Sequence, residues 1–108
     1  MLTITTENKD AYLIIVLTGR IDASNAKTLE EETIQLINDG NKQIIINLTD
    51  VNYVSSAALR VFLLIAKELT KVSGSIKLCG LSSTLKDVFD ISGFSKLFVI
   101  TTTVEEAL

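Results

Sequence analysis

The stretch QIIINL, residues 43–48, puts large aliphatic side chains on both faces of any strand it forms. Such a strand has to lie inside a sheet that is covered above and below. It is far shorter than the ~20 residues of a membrane span, so the cover must come from the chain itself. Segments with helical spacing stand on either side of strand 42–50, at residues 24–39 and 56–71. A strand set between two helices calls for crossover connections and a largely parallel sheet.

The rest of the chain repeats this alternation. LTITT (2–6) and the β-branched run AYLIIVLTG (11–19) are separated by polar ENKD, a hairpin pattern. Asp22 or Ser24 suits the cap of helix 24–39, whose apolar face carries Ala26, Leu29, Thr33, Leu36 and Ile37, and Gly40 supplies its stop. After helix 56–71 come strand 75–81, a short helix over 82–92 and strand 96–101. Thr102 and Glu105 have capping-box spacing for a last helical turn. The order β-β-α-β-α-β-α-β-α predicts an α/β fold: a four- or five-stranded mixed sheet, an N-terminal hairpin followed by parallel strands, with about four helices.

Composition narrows the function. A chain of 108 residues predicts a single domain over 1–108. Only 6% of residues are aromatic, with no Trp, so an aliphatic core is expected. The net charge is −3 with lysines scattered singly, which argues against a nucleic-acid surface. No His is present, which removes the commonest general base, the Ser–His and Cys–His pairs and most zinc sites. Cys79 is alone, in a strand-like run, and reads as a small buried hydrophobe. Glu30, Glu31 and Glu32 read as a solvated helix face, and there is no phosphate-binding glycine motif. No signal-peptide pattern and no apolar run of membrane length are present. A cytoplasmic protein without metal or cofactor is expected, and not an enzyme.

YVSSAALRVFLL, residues 53–64, sets two small hydroxyls ahead of an apolar helix. At 100° per residue, Ala58, Val61, Phe62, Ile65, Leu69 and Val72 form the core face. Ser56, Leu59, Arg60, Leu63 and Lys67 form the opposite stripe, in which Ser56 faces solvent and two exposed leucines are flanked by two cations. An apolar patch with a charged rim suits a docking surface. Either Ser55 or Ser56 could be an ordinary N-cap. A hydroxyl at this place could equally accept a phosphate, since a helix N-terminus favours an anion and nearly two charges would be added without unfolding the chain.

NLTDVNYVSSAALRVFLL (47–64) resembles the signature segment of STAS domains, in particular the bacterial anti-sigma-factor antagonists. LTGRIDASNAKTLEE (17–31) is similar to the family's L-x-G-x-[IL]-D-x-x-x-A-x-x-L stretch, and LKDVFDISGFSKLFVI (85–100) to its L-x-x-x-[FL]-x-x-[ST]-G-[FL] segment. The three blocks stand in order and the similarity covers nearly all 108 residues. Two positions depart from the pattern: Ser55 stands where many members have Asp, and Ala58 where Gly is usual.

The resemblance implies a phosphorylation-switched binding module. Ser56 falls on the phosphorylated serine, with Asp22 and Ser55 near it, and Ser56, Leu59, Arg60 and Leu63 are expected to meet the partner. The implied partner is an anti-sigma factor that is also a serine protein kinase and supplies its own ATP and Mg²⁺. Bound by the unphosphorylated chain, it frees its sigma factor, and a PP2C-type phosphatase resets the cycle. No nucleic-acid or membrane partner is implied, and a monomer or weak dimer is expected. The alternative keeps the fold and makes the chain a non-phosphorylated STAS scaffold or adaptor subunit, in a lipid-transport or stressosome-like assembly.

Overall fold

The computed structural model describes residues 1–108. β1 (Leu2–Lys9) and β2 (Tyr12–Ile21) pair antiparallel, and β3 (Gln43–Val54), β4 (Ser75–Cys79) and β5 (Val99–Thr101) follow in parallel. The sheet order is β1-β2-β3-β4-β5, so every strand lies beside its neighbours in the chain. Between and after them stand α1 (Ala26–Asn38), α2 (Ser56–Lys71), α3 (Ser83–Ile91), a 3₁₀ turn (Phe94–Lys96) and α4 (Val104–Ala107). This is the α/β arrangement expected from the sequence, with five strands and four helices.

Strand β3 carries apolar side chains on both faces because both faces are covered. Ile44, Ile46 and Leu48 join Leu13, Ile15, Leu17 and Leu78 in the large core with α1, α2 and α3. Ile45 points the other way, with Ile14 and Cys79, against Ala107 of α4. The aliphatic core has an aromatic end that composition did not suggest. All four phenylalanines meet there, Phe62 of α2 lying 6.2 Å from Phe89 of α3, which in turn adjoins Phe94 and Phe98. Few aromatics in a chain do not mean dispersed ones.

Several boundaries move. β1 continues through Lys9, because an edge strand accepts polar side chains, and the hairpin loop shrinks to Asp10-Ala11 with Asp10 at φ 57°. The final strand is shorter than 96–101: Lys96 ends the 3₁₀ turn, and Leu97 and Phe98 form the bend that follows it. The N-cap of α4 is Thr103 rather than Thr102; its hydroxyl accepts from the Glu106 N–H, while the Glu106 carboxylate accepts from the Thr102 N–H. β3 runs on past Asp50 to Val54 and carries extra residues opposite β2, between Val16/Thr18 and again between Gly19/Arg20. These bulges bring Arg20 opposite Tyr53 and Ile21 opposite Val54.

Helix α2 begins and ends where its periodicity puts it, but its buried sector is wider than one face. Ala58, Val61, Phe62, Ile65 and Leu69 are buried as expected. Leu59, read as exposed, retains only 9% of its surface, and Leu63 is half-buried. The helix rests on the sheet with α1 along one flank and the phenylalanine cluster reached by Phe62 along another. Leu59 sits on the shoulder of the wheel beside Phe62, and that shoulder is covered. Val72, read as core, is 36% exposed, since it is the C-cap and leaves the helical period.

Candidate functional site

At the end of β3 the chain turns into α2 through Ser55, whose backbone is extended (φ −84°, ψ 170°). Its N–H donates to the Ile21 carbonyl at 2.9 Å, fastening the start of α2 to the end of β2. Its hydroxyl accepts the Ala58 N–H at 3.2 Å, satisfying one of the free donors of the first turn. Ser55 is therefore the cap, and the sequence had left both serines eligible. Ser56 is the first helical residue, exposed and free of capping duty.

Beside it lies the turn joining β2 to α1. The Asp22 carboxylate accepts from the Ser24 N–H at 3.0 Å and from the Ser24 hydroxyl at 2.6 Å. These bonds hold the Asp22 carboxyl below its ordinary value. The Asn25 amide oxygen accepts the Asp22 N–H, and its NH₂ donates to the Arg20 carbonyl. The N-cap of α1 is Asn25, without a side-chain cap bond, so neither Asp22 nor Ser24 serves as predicted; Asp22 instead braces the turn. Gly19, at φ 109°, is fixed by close packing just upstream, since a Cβ there would lie 2.1 Å from the Met1 carbonyl oxygen.

Two features of this end lie outside the sequence reading. The Arg20 guanidinium stacks 4.4 Å from the centre of the Tyr53 ring, and both residues are exposed. Only the bulged register of β2 on β3 makes them neighbours. A groove of about 360 Å³ between α1 and α2 is lined by Ala23, Ala26, Ala57, Val61 and Leu64, with Arg60, Lys27 and Glu30 at its polar positions. Leu64, 37% exposed, is thus the accessible leucine of α2, rather than Leu59. Arg60 is exposed, and all four ion pairs of the chain use lysines, at Lys9, Lys27, Lys71 and Lys86.

The remaining groups assemble no reaction centre. Burial, with the Glu105 charge as a smaller cause, pushes the Cys79 thiol up to about 11, so it stays protonated at neutral pH. Glu30 pairs with Lys27 at 3.5 Å, while Glu31 and Glu32 are solvated. No three Cys, Asp and Glu side chains converge to hold a metal ion. The largest cavity, about 600 Å³, lies at the ends of β4 and β5 beside the start of α3, among Leu81, Ser83, Lys86, Thr101 and Glu106. No helix is long and apolar enough to cross a membrane.

The STAS domain family matches residues 3–107. A Bordetella bronchiseptica protein designated anti-sigma factor antagonist BtrV is 38% identical over 104 residues, covering 96% of this chain and 90% of that protein. The anti-sigma-B factor antagonist of Staphylococcus aureus is 28% identical over 96 residues, 89% of each chain. Among solved structures, the anti-sigma factor antagonist SpoIIAA in its unphosphorylated form is 25% identical with a TM-score of 0.84, covering 97% of this chain and 92% of that one. Its phosphorylated form gives a TM-score of 0.75, covering 97% and 96%. On its sequence and its fold, the chain belongs to the STAS-domain family, among the anti-sigma-factor antagonists.

Proposed function

We propose that residues 1–108 act as one STAS domain that binds an anti-sigma factor while Ser56 is unmodified and releases it once Ser56 is phosphorylated. The anti-sigma factor is also the serine kinase in this reading, a PP2C-type phosphatase restores the hydroxyl, and the cycle runs in the cytoplasm. The domain is a binding module and contributes no catalysis of its own. One observation carries the assignment of the serine: Ser55 takes the capping bond, which leaves Ser56 exposed at the first helical position with no structural task. A relative of the same fold, SpoIIAA, has been solved in both unphosphorylated and phosphorylated forms.

The docking surface runs from Ser56 along the exposed side of α2 through Arg60 and the half-buried Leu63. Leu59 supports this surface from beneath, because it has little area left to offer a partner. Ser55 acts by holding the start of the helix in place, and Asp22 by bracing the adjoining turn between β2 and α1. The test is a calorimetric titration against the kinase-type protein encoded nearest to this chain, with Ser56→Ala, Ser56→Glu and Ser55→Asp beside the unaltered protein. Ser56→Ala should bind like the parent, and Ser56→Glu at least about tenfold more weakly. Equal binding by all of them would leave the scaffold or adaptor reading, in which both serines only shape the helix start.

A further inference from the structure

We propose that Arg60 is the intramolecular partner of a phosphate on Ser56, so that phosphorylation also withdraws Arg60 from the docking surface. This rests on the reading of Ser56 as the phosphoacceptor. In the modification the Ser56 Oγ–phosphorus bond forms as the bond from ATP's γ-phosphorus to ADP breaks, and the hydroxyl proton leaves to the kinase.

The placement follows from the helix. Ser56 opens α2 and Arg60 lies four residues on, both exposed, so they are neighbours on one face. Helical side chains lean toward the N-terminus, so the guanidinium is within reach of the first turn. A guanidinium can grip a phosphate with two parallel hydrogen bonds. No carboxylate lies within ion-pair distance of it, although Glu30 lines the same groove. The first turn of α2 has no acidic residue, Asp22 is engaged by Ser24, and Glu30 is paired with Lys27. Arg60 is in none of the chain's ion pairs.

The molecule contains its own control. Helix α3 opens in the same way, with the Ser82 hydroxyl accepting the Leu85 N–H at 3.2 Å and Ser83 exposed at the first helical position. Four residues beyond Ser83 stands Asp87, and Lys86 is bound to Asp90 at 3.0 Å. Both serines meet a capped helix start, and only Ser56 has a free cation one turn along.

The full chain is prepared with phosphoserine built in at position 56, in the parent, Arg60→Lys and Arg60→Ala backgrounds, and separately at position 83. Phosphorus NMR then follows the second ionisation of the phosphate with pH. The charged groups around position 56 are Arg60 on α2, Asp22 in the adjoining turn, Lys27 and Glu30 on α1, Arg20 at the end of β2 and the Met1 amino group; only Arg60 changes across the first three samples. Arg60→Ala should raise the ionisation by about half a unit, with Arg60→Lys between it and the parent. Phosphate at 83 should ionise no lower than in the Arg60→Ala sample. Identical titrations of the parent and Arg60→Ala would overturn the pairing. Titration of the phosphorylated parent against the nearby kinase-type protein judges the underlying reading separately. Unchanged affinity there would sink Ser56 as the switch, whereas lost affinity with identical ionisations would sink only the role of Arg60.

Discussion

Helices α2 and α3 both begin with a pair of serines, the first capping through a 3.2 Å bond and the second exposed. Beyond that shared turn they diverge. α2 buries six side chains and is pinned at its start to the end of β2 by the Ser55–Ile21 bond, whereas α3 buries two, Leu85 and Phe89. Along the exposed side, α2 continues from its second serine to Arg60 and α3 to Asp87. A capped hydroxyl pair is therefore a local folding device, and what surrounds it decides whether it can serve as a switch.

The widest gap between the two helices should appear in their apolar positions. Ile65→Asp places an unpaired charge where the native side chain has no exposed surface, and should cost more than about 4 kcal/mol and unfold the domain. Ile91→Asp, on α3 at a residue 87% exposed, should change stability by less than about 0.5 kcal/mol in urea titrations. Cooperative melting of Ile65→Asp at the parent temperature would break the account of α2 as the core helix.

Charge at the second serine comes next. Ser56→Glu should weaken binding of the proposed kinase-type partner by about 1.4 kcal/mol, a factor of ten, because a carboxylate at the centre of the proposed docking surface must be desolvated there. Ser83→Glu should leave that affinity unchanged. Equal losses would move the docking surface toward α3.

The caps themselves should behave alike. Ser55→Ala and Ser82→Ala each remove a bonded cap and should cost about 1 kcal/mol. Ser56→Ala and Ser83→Ala should each stay within about 0.5 kcal/mol. A cost at Ser56 as large as that at Ser55 would mean that the two serines share the cap.

The smallest effect is expected in acid. Hydrogen bonds from Ser24 lower the Asp22 carboxyl in the folded chain, and those from Ser95 and Lys86 lower Asp90 at the end of α3. A depressed folded value means that the contribution is present above the ordinary carboxyl value of 3.8 and is lost as pH falls through the lowered one. Asp22→Asn and Asp90→Asn should each flatten the urea midpoint against pH below pH 4, leaving its slope near neutrality unchanged. An equally steep acid limb in both variants would assign that limb to other carboxylates.

The strands and helices were legible because their periods differ, and β3 in particular because it is apolar on both faces. α2 could be bounded at 56–71 from spacing alone. Its surroundings could not. The wheel divides a helix into one buried and one exposed half, but sheet, α1 and phenylalanines approach α2 from more than one side, and Leu59 falls in the added sector. The choice between Ser55 and Ser56 depends on backbone angles, since either residue type suits a cap. The Arg20–Tyr53 stack depends on the extra residues of β3, which break the simple alternation along the strand.

Because strand order follows chain order, no strand has to be inserted between two others already paired. The domain can grow by adding each new unit to one open edge as the chain leaves the ribosome, N-terminal part first. Arg20, Asp22, Ser55, Ser56 and Arg60 all belong to the hairpin, α1, β3 and the start of α2. The residues of the proposed switch thus lie in the earliest part of the assembly. β4, α3, β5 and α4 arrive afterwards and serve it as ballast, sealing the far edge of the sheet and the ends of a core already begun.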